Sequence, residues 1–564
     1  MRTNVRRREF LLGGMAMAGL VISSSGVRSA AMSSVPNQAT TPGPSPVPTA
    51  YTGLRSRPDL NGAPRLNVST ATGRGLGGYI FLTPISPASK GAAIFDTMGR
   101  LIWFQPVQAS MVHNLQLVRY HNEDLLAWYE GEPPSGSPGY AEGSCVLYDR
   151  SYNHVTTIRG HDGSPIDLHD MVVTPDGTAL VAAYVSVTRD LSDIKGAPNT
   201  SVLDWLLQEV DIATGKVLFT WSALDHVAIE ESVTAPPTTP GSIYDYFHGN
   251  SIEVDDDRNL IISARNTSAL YKIDRHTGAM IWRLRGGLGA SDMPTPTATA
   301  SANGVFVPAF HPSATAVASP PEVPSATARP RIPATTVATP SASSVAAPAP
   351  AGAQDLILKP DGESFWFQHD ARRNNDGTLS MFDDGAAPFH HNARGIILDV
   401  DTNAGTATIR QSYSVGIEVD FEGSFRLQSN GTWLAGWGGV GRLTEFSPLG
   451  DVEFDATFAG NSYRALHFPW HATPTTPPAV AAERGANNEV TVWASWNGAT
   501  AVQSWHVMTG TEPGSLSGSG TFPWRDFETA LPVWTSHTLV AVQALDSNGQ
   551  VLGTSPTVGI SELT

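Results

Sequence analysis

Four histidines share one short pattern. His113-Asn114-Leu115, His169-Asp170-Met171, His248-Gly249-Asn250 and His369-Asp370-Ala371 each open an alternating strand. Ten to twelve residues later each is followed by the first leucine of a second strand: Leu125, Leu180, Leu260 and Leu379. A single histidine at a strand start is ordinarily structural. Four at one repeat position are brought together by whatever symmetry relates the repeats, however far apart they lie in sequence. Gathered imidazoles can attack an electrophile, move a proton, or donate hydrogen bonds to an anion. Arg265 ends the strand Leu260-Ile261-Ile262-Ser263-Ala264, which runs antiparallel to the one opened by His248, so its backbone returns to the same rim. Its planar, permanently charged fork suits the oxygens of a tetrahedral anion. Imidazoles with one arginine predict a sulfate- or phosphate-like group held without a metal. Asn266 follows Arg265, and Arg394 before Gly395 is a second candidate anion contact. An aromatic ligand would also need apolar walls, for which Phe247, Trp366, Phe367, Phe382 and Trp437 are nearby candidates. Asp383 and Asp384 end the strand after His369, either as turn residues or as groups that orient a histidine, and His390 and His391 follow.

The elements that position these residues are hairpins. A fifth copy of the pattern is Gly423-Ser424-Phe425 with Leu434-Ala435-Gly436. Asp176-Gly177, Asp376-Gly377 and Asn430-Gly431 mark tight turns. A second kind of hairpin alternates with the first: Phe95-Asp96 to Trp103, Val210-Asp211 to Trp221, Ile273-Asp274 to Trp282, Val400-Asp401 to Ser412, and Phe446-Ser447 to Phe458. Two hairpins make a four-stranded blade. Five units, plus an N-terminal one holding Tyr79-Ile80-Phe81 and Ile94 to Gln105, predict an all-β fold: a six-bladed β-propeller over 61–464. The innermost strands line its channel, so the four histidines should ring one end. Residues 465–564 carry short alternating strands, Val490-Thr491-Val492-Trp493 and Leu539-Val540-Ala541-Val542, and predict a supporting β-sandwich of immunoglobulin or fibronectin type.

Other segments read by composition. Residues 288–352 are mostly Ala, Pro, Thr and Ser and cannot bury enough apolar surface to offset their ordering entropy, which predicts a disordered insertion. Residues 32–60 predict a flexible leader. Before them, Arg7-Arg8-Glu9-Phe10-Leu11, the apolar run from Leu11 to Ile22 and Ser29-Ala30-Ala31 predict a cleaved twin-arginine signal over 1–31. The expected partner is therefore the twin-arginine export machinery, and the expected location periplasmic or extracellular. The apolar run is too short for a permanent membrane span. A net charge of −17 argues against a general nucleic-acid binder, which needs a basic face to displace counterions. Cys145 is the only cysteine, so no intramolecular disulfide forms. Gly73-Arg74-Gly75-Leu76-Gly77-Gly78 fits G-x-G-x-x-G but precedes a strand and opens no helix, so it predicts no dinucleotide site. Asp255-Asp256-Asp257 reads as a solvated hairpin turn.

Several of these stretches carry a family resemblance. Tyr246-Phe247-His248-Gly249-Asn250-Ser251, Ile262-Ser263-Ala264-Arg265-Asn266, Tyr271-Lys272-Ile273-Asp274, Gly278-Ala279-Met280-Ile281-Trp282, Phe367-Gln368-His369-Asp370 and Met381-Phe382-Asp383-Asp384-Gly385 resemble the arylsulfotransferase family. The resemblance covers most of 75–470. It implies a six-bladed propeller that moves a sulfuryl group from an aryl sulfate donor to a phenolic acceptor. It implies no cofactor and no nucleotide sulfate donor, only a sulfated histidine. By motif, His369 corresponds to the nucleophile, His248 and Arg265 to the oxyanion-binding pair, and His169 to the remaining channel histidine. His113, Phe247, Asn266, Phe367 and Arg394 fall to substrate contacts. The sandwich departs from the family pattern: it lies at the C-terminus, whereas the best-known members carry an extra β module at the N-terminus. Two other readings stay open on the residues themselves. One is a metal-dependent propeller enzyme using the four histidines. The other is a noncatalytic propeller that binds an anion or a partner.

Overall fold

A computed structural model describes residues 50–75, 77–287, 352–386 and 391–562. The twin-arginine segment, residues 32–49 of the leader, the insertion up to residue 351, and His390 lie outside the described residues.

The alternating segments form antiparallel sheets of four strands, and six of these surround one axis. Their inner strands, in blade order, are Met111–Tyr120, Met171–Val173, Gly249–Val254, His369–Arg373, Ser424–Leu427 and Ala465–Phe468. Each begins a meander outward. In the first blade it continues through Glu123–Glu132, Glu142–Tyr148 and His154–Ile158. The glycines expected at the hairpin turns sit at positive φ, Gly177 at 79°, Gly377 at 82° and Gly431 at 85°, a conformation that costs a glycine little. The inner strands touch in sequence around the axis, the last packing against the first. Ser424 Oγ, which accepts the Ala465 N–H at 3.2 Å, closes the gap between the fifth and sixth blades. The protein is a β-propeller.

The sixth blade is built from both ends of the propeller. Ala465–Phe468 pairs with Tyr79–Leu82, whose sheet continues through Gly91–Asp96 and Leu101–Pro106. The propeller therefore runs past residue 464, and its closing strand comes from the stretch expected to begin the sandwich. Asn67–Ala71 adds a fifth strand to the fifth blade, against Val452–Thr457. Gln354–Lys359 runs parallel to both Met280–Arg285 and Thr406–Tyr413, joining the outer edges of the third and fourth blades. It thereby covers two sheet edges that would otherwise expose unpaired backbone groups.

Large rings fill the spaces between blades. Trp205, Trp221, Phe247 and Tyr271 pack in one such cluster between the second and third. Each fully buried ring contributes roughly 2–3 kcal/mol. Cys145 is buried in the cluster between the first and second blades. The C-terminal residues form two sheets. One holds Ala479–Arg484, Glu489–Ser495 and Glu528–Trp534; the other holds Ser504–Gly510, Ser517–Pro523 and Leu539–Leu545. Val490, Val492 and Leu531 of the first share a core with Trp505, Val507 and Val542 of the second. Residues 50–60, expected to be flexible, are tied to these sheets. Tyr51 Oη donates to Asp526 at 2.6 Å, and the Arg55 and Ser56 N–H groups donate to Glu528 at 3.0 and 2.6 Å. Propeller and C-terminal sheets belong to one compact unit. No helix among the described residues is long and apolar enough to cross a membrane.

Candidate active site at the histidine ring

The inner strands begin irregularly, and that irregularity makes the site. Their ladders slip between His113 and Gln116, Gly249 and Ser251, and His369 and Arg372. Asn114, His248 and Asp370 hold left-handed backbones, with φ of 59°, 54° and 55°. In a regular strand successive side chains alternate between faces. A bulge re-aims them, and such backbone strain concentrates at functional sites. Here the bulges release the residues that follow the histidines to bind the neighbouring blades. Asn114 Nδ2 donates to the carbonyls of Leu168 and His169 at 3.0 and 2.8 Å. Asn250 Nδ2 donates to the Gln368 carbonyl at 2.7 Å. Asp170 accepts the Ile252 N–H at 2.9 Å.

The histidines do converge. The rings of His169 and His248 meet edge to face with centroids 4.5 Å apart. Tyr463, two residues before the sixth blade's inner strand, touches three of the four. It stacks on His113 at 5.0 Å and meets His169 and His369 edge-on at 5.7 and 6.1 Å. Its hydroxyl donates to the Asn250 carbonyl at 3.0 Å. Three histidines are oriented by carboxylates at Nδ1: His169 by Asp167 at 2.6 Å, His248 by Asp245 at 2.5 Å, and His369 by Asp384 at 3.0 Å. A proton held at Nδ1 by a carboxylate leaves the lone pair on Nε2. His113 differs. It is 1% exposed, neither ring nitrogen has a hydrogen-bond partner among the described residues, and its Nε2 lies 4.0 Å from Glu422.

Arg265 joins this group through His248, whose carbonyl accepts the Arg265 N–H at 2.9 Å. Its guanidinium lies 4.5 Å over the Phe367 ring and donates to the Asp420 carbonyl at 2.9 Å and to Asn266 Oδ1 at 3.2 Å. Among the described residues no carboxylate comes within ion-pair distance of it. Asn266 Nδ2 in turn donates to the Asp245 carbonyl at 2.6 Å. Asn266 therefore holds Arg265 and the His248–Asp245 loop in one arrangement. Gly139, on the loop between two strands of the first blade, approaches the third blade's histidine: a Cβ there would lie 3.3 Å from His248 Cε1.

Several expected contacts fall elsewhere. Arg394 is committed to Asp383 at 3.0 Å, the Ser364 carbonyl at 2.6 Å and Glu363 at 3.4 Å, so its charge is already balanced. Phe247 is fully buried among Trp205, Trp221 and Tyr271, and supports the His248 strand from within the core. Phe382 and Trp437 are also fully buried, packed on each other. Of the proposed apolar walls, Trp366 and Phe367 remain, clustered with Val233 and Ala386 beside Arg265. Asp255 is no solvated turn residue: it is buried and paired with Lys272 and Arg373, each at 2.6 Å.

Burial sets the charge state of the ring. It pushes His113 down to about 3, aided by His169 and Arg464. It lowers His248 against the opposing pull of Asp245. It holds His369 well below the ordinary imidazole range, reinforced by Arg265 and the neighbouring histidines. Burial also raises Asp384 well above the usual carboxylate range; Arg265 opposes this, and Asp383 and Glu422 add to it. Burial thus disfavours charge on both members of the His369–Asp384 pair, and the imidazole is held in its neutral, nucleophilic form. Next to the ring, Arg464 binds Asp170 at 2.8 Å and Asp370 at 3.1 Å. Arg372 bridges the same two carboxylates at 2.7 and 2.9 Å, and Arg426 reaches Asp370 at 2.8 Å. Burial works against the charge on Asp370, but Arg426, Arg464 and Arg372 keep it below the usual range. Removing one member of such a buried network costs about 3–5 kcal/mol, because its partners are left uncompensated. Among the described residues no three His, Cys, Asp or Glu side chains cluster so as to hold a metal ion.

No curated protein matches the chain. Three solved structures are loosely similar. A protein of unknown function from Bacteroides caccae is 12% identical with a TM-score of 0.36, covering 69% of this chain and 98% of its own. The extracellular domain of a putative one-component system from B. thetaiotaomicron is 11% identical with a TM-score of 0.31, covering 91% and 60%. A catalytically inactive virginiamycin B lyase from Staphylococcus aureus, with quinupristin, is 8% identical with a TM-score of 0.26, covering 77% and 96%. The family model described as arylsulfotransferase (ASST) matches residues 116–301 and 350–459, just over half of the chain. The match spans the second, third and fourth blades whole and most of the fifth, including His169, His248, Arg265 and His369, and the chain belongs to the arylsulfotransferase family.

Proposed function

We propose that the protein moves a sulfuryl group from an aryl sulfate ester to a phenolic acceptor through a sulfated His369, in ping-pong order. One observation carries the reading. Three imidazoles, held at Nδ1 by Asp167, Asp245 and Asp384, gather with an arginine that has no carboxylate partner among the described residues.

In the first half-reaction His369 Nε2 attacks sulfur. The sulfur–oxygen ester bond breaks and its electron pair leaves with the phenolate. The new N–S bond places positive charge on the imidazole, whose Nδ1–H is accepted by Asp384. Arg265 donates to the sulfuryl oxygens. Anion binding also favours protonation of His248 at Nε2, because Asp245 already balances its ring, and His248 then donates as well. The Phe367 and Trp366 rings lie on the Arg265 side, where an aryl group can pack. In the second half-reaction the acceptor gives its hydroxyl proton to a basic group of the ring, and its oxygen attacks sulfur. The N–S bond breaks and the pair returns to Nε2.

The test is turnover of 4-nitrophenyl sulfate with and without added phenol. The parent should release nitrophenolate in a burst and then turn over with acceptor. His369→Ala should lose both, by about 10⁴-fold or more, since loss of a covalent nucleophile removes the pathway. Unchanged transfer in that variant would end the proposal.

A further inference from the structure

Five blades place a ring side chain in the site: His113, His169, His248 and His369 from the first four, and Tyr463 from the sixth. In the fifth, Gly423 holds the histidine's place, and the residue before it is Glu422.

Glu422 is held by built structure. Its backbone is left-handed at φ 67°, a strained conformation for a residue other than glycine. Gly438, in the turn Gly438–Val440, lies so close that a Cβ on it would sit 2.8 Å from the Glu422 Cβ. Asn461, whose backbone exchanges hydrogen bonds with Ile85 at 2.9 and 3.2 Å, donates Nδ2–H to the two carboxylate oxygens at 3.0 and 3.3 Å. The side chain is 12% exposed, mostly enclosed yet reachable, while the side chain of His113 beside it is 2% exposed. Its charged and titratable neighbours are His113 at 4.0 Å, His169 and Asp384. Among the described residues no arginine or lysine pairs with it. Burial raises its carboxyl to about 7, against the pull of Asn461 and His169. A carboxylate poised near neutrality and lacking a cation partner is suited to proton transfer.

We propose that Glu422 is the base that takes the hydroxyl proton of the phenolic acceptor. This rests on the sulfuryl-transfer reading above. The acceptor O–H bond breaks and its proton goes to the Glu422 carboxylate. The oxygen forms the new S–O bond, and the N–S electron pair returns to His369 Nε2. The protonated Glu422 then gives the proton to the phenolate expelled from the next donor, so each cycle closes.

Glu422→Gln keeps the shape and an oxygen for Asn461 while removing the titration. The experiment compares it with the parent on 4-nitrophenyl sulfate, whose leaving group needs no proton, across phenolic acceptors of graded acidity. The burst of nitrophenolate should survive within about twofold. Transfer to unactivated phenol should fall about 10²-fold, and transfer to an acceptor already ionised at the assay pH should change little. The parent's acceptor step should rise with pH through about 7 and flatten above it, and the variant should lack that limb. Equal transfer to every acceptor would overturn the proposal. So would an equal fall in burst and transfer, the mark of a purely structural role. If Glu422→Gln does not fold, Glu422→Asp decides: the limb should persist at a shifted pH, and an unmoved limb counts against Glu422. A parent with no burst removes the transfer reading itself and this proposal with it, an outcome distinct from a normal burst in both proteins with unaltered transfer.

Discussion

Along the propeller axis the buried side chains are ionisable; between the two C-terminal sheets they are not. His113, His169, His248, His369, Asp170, Asp370, Asp384 and Arg464 are all less than a tenth exposed around the axis. From residue 471 onward, the buried polar side chains among the described residues are the hydroxyls of Ser495, Thr509, Thr529 and Ser555. The sandwich is held by Val490, Val492, Trp505, Val507, Leu531 and Val542, side chains that gain by leaving water and ask for no partner. Each buried charge at the axis must find a partner, and the partners come from other blades: Arg464 of the sixth binds Asp170 of the second and Asp370 of the fourth. The difference separates two uses of burial. In the sandwich it supplies stability. At the axis it fixes geometry and lowers the local dielectric around the histidine ring, where each remaining interaction is stronger.

The contrast is tested most severely at Arg265, a cation at the axis that is not neutralised by a carboxylate among the described residues. Arg265→Ala should lower transfer by about 10²–10³-fold, as expected for loss of one preorganised donor to a developing oxyanion. Its melting temperature should move little, since among the described residues the side chain donates only to the Asp420 carbonyl and Asn266. Arg265→Lys should regain part of the rate, keeping the charge without the fork. Steady-state kinetics and a thermal melt on the same samples check both halves. A large loss of stability with unaltered transfer would place Arg265 with the structural charges.

The sequence made the repeat visible because one residue type recurs at one offset, and this was enough to assemble His113, His169, His248 and His369 correctly. It hid Tyr463 and Arg464. They stand at the same place in the sixth blade, but that blade is split between the two ends of the propeller. No second strand follows Ala465–Phe468 within its own sheet to mark the offset. Asp167 and Asp245 were open to view as Asp-x-His and Asp-x-x-His; the local spacing was the signal. Asp384 was seen beside Asp383, but which carboxylate reaches His369 depends on how the strand end turns, and spacing does not encode that. Three of the five aromatic walls, Phe247, Phe382 and Trp437, were misplaced because adjacency in sequence does not say which side of a strand faces the site. Phe247 adjoins His248, but the left-handed turn at His248 sends the two side chains apart, His248 to the ring and Phe247 into the core. The closing strand was assigned to the sandwich because a short alternating segment carries no label for the sheet it joins.

Leu531 provides the opposite variant. It is fully buried between the C-terminal sheets and takes no part in the ring. Leu531→Ala should cost about 3 kcal/mol through lost transfer energy and the cavity left behind. Sulfuryl transfer, measured well below the melting temperature, should stay within twofold. This holds because the sheets support the propeller through contacts remote from the chemistry, such as Asn497 with the Phe104 backbone at 2.9 and 3.0 Å. A parallel fall in transfer would mean that sandwich packing reaches the histidine ring, and the two uses of burial would not be separable.

The smallest effect is also the most diagnostic, because it is read as a slope. His113 is neutral in the folded protein, pushed down to about 3 by burial, with His169 and Arg464 adding to the shift. Unfolded, it titrates near 6.5. Below that pH the unfolded chain takes up a proton that the folded chain refuses, so the contribution of His113 to stability is present at neutral pH and is lost as the pH falls. Other axial groups titrate too, among them Glu422, held up near 7, whose contribution runs the other way and is lost as the pH rises. The comparison with His113→Gln cancels these to the extent that the substitution leaves them in place. Denaturant unfolding should show the parent losing about 1 kcal/mol relative to His113→Gln between about pH 7.5 and about pH 5.5. Leu531→Ala should shift the parent's stability equally at both pH values. If His113→Gln instead followed the parent with a constant gap, His113 would be taking up its proton in the folded state, and the axis would not hold it as the neutral group implied by its buried ring, whose nitrogens have no hydrogen-bond partner among the described residues.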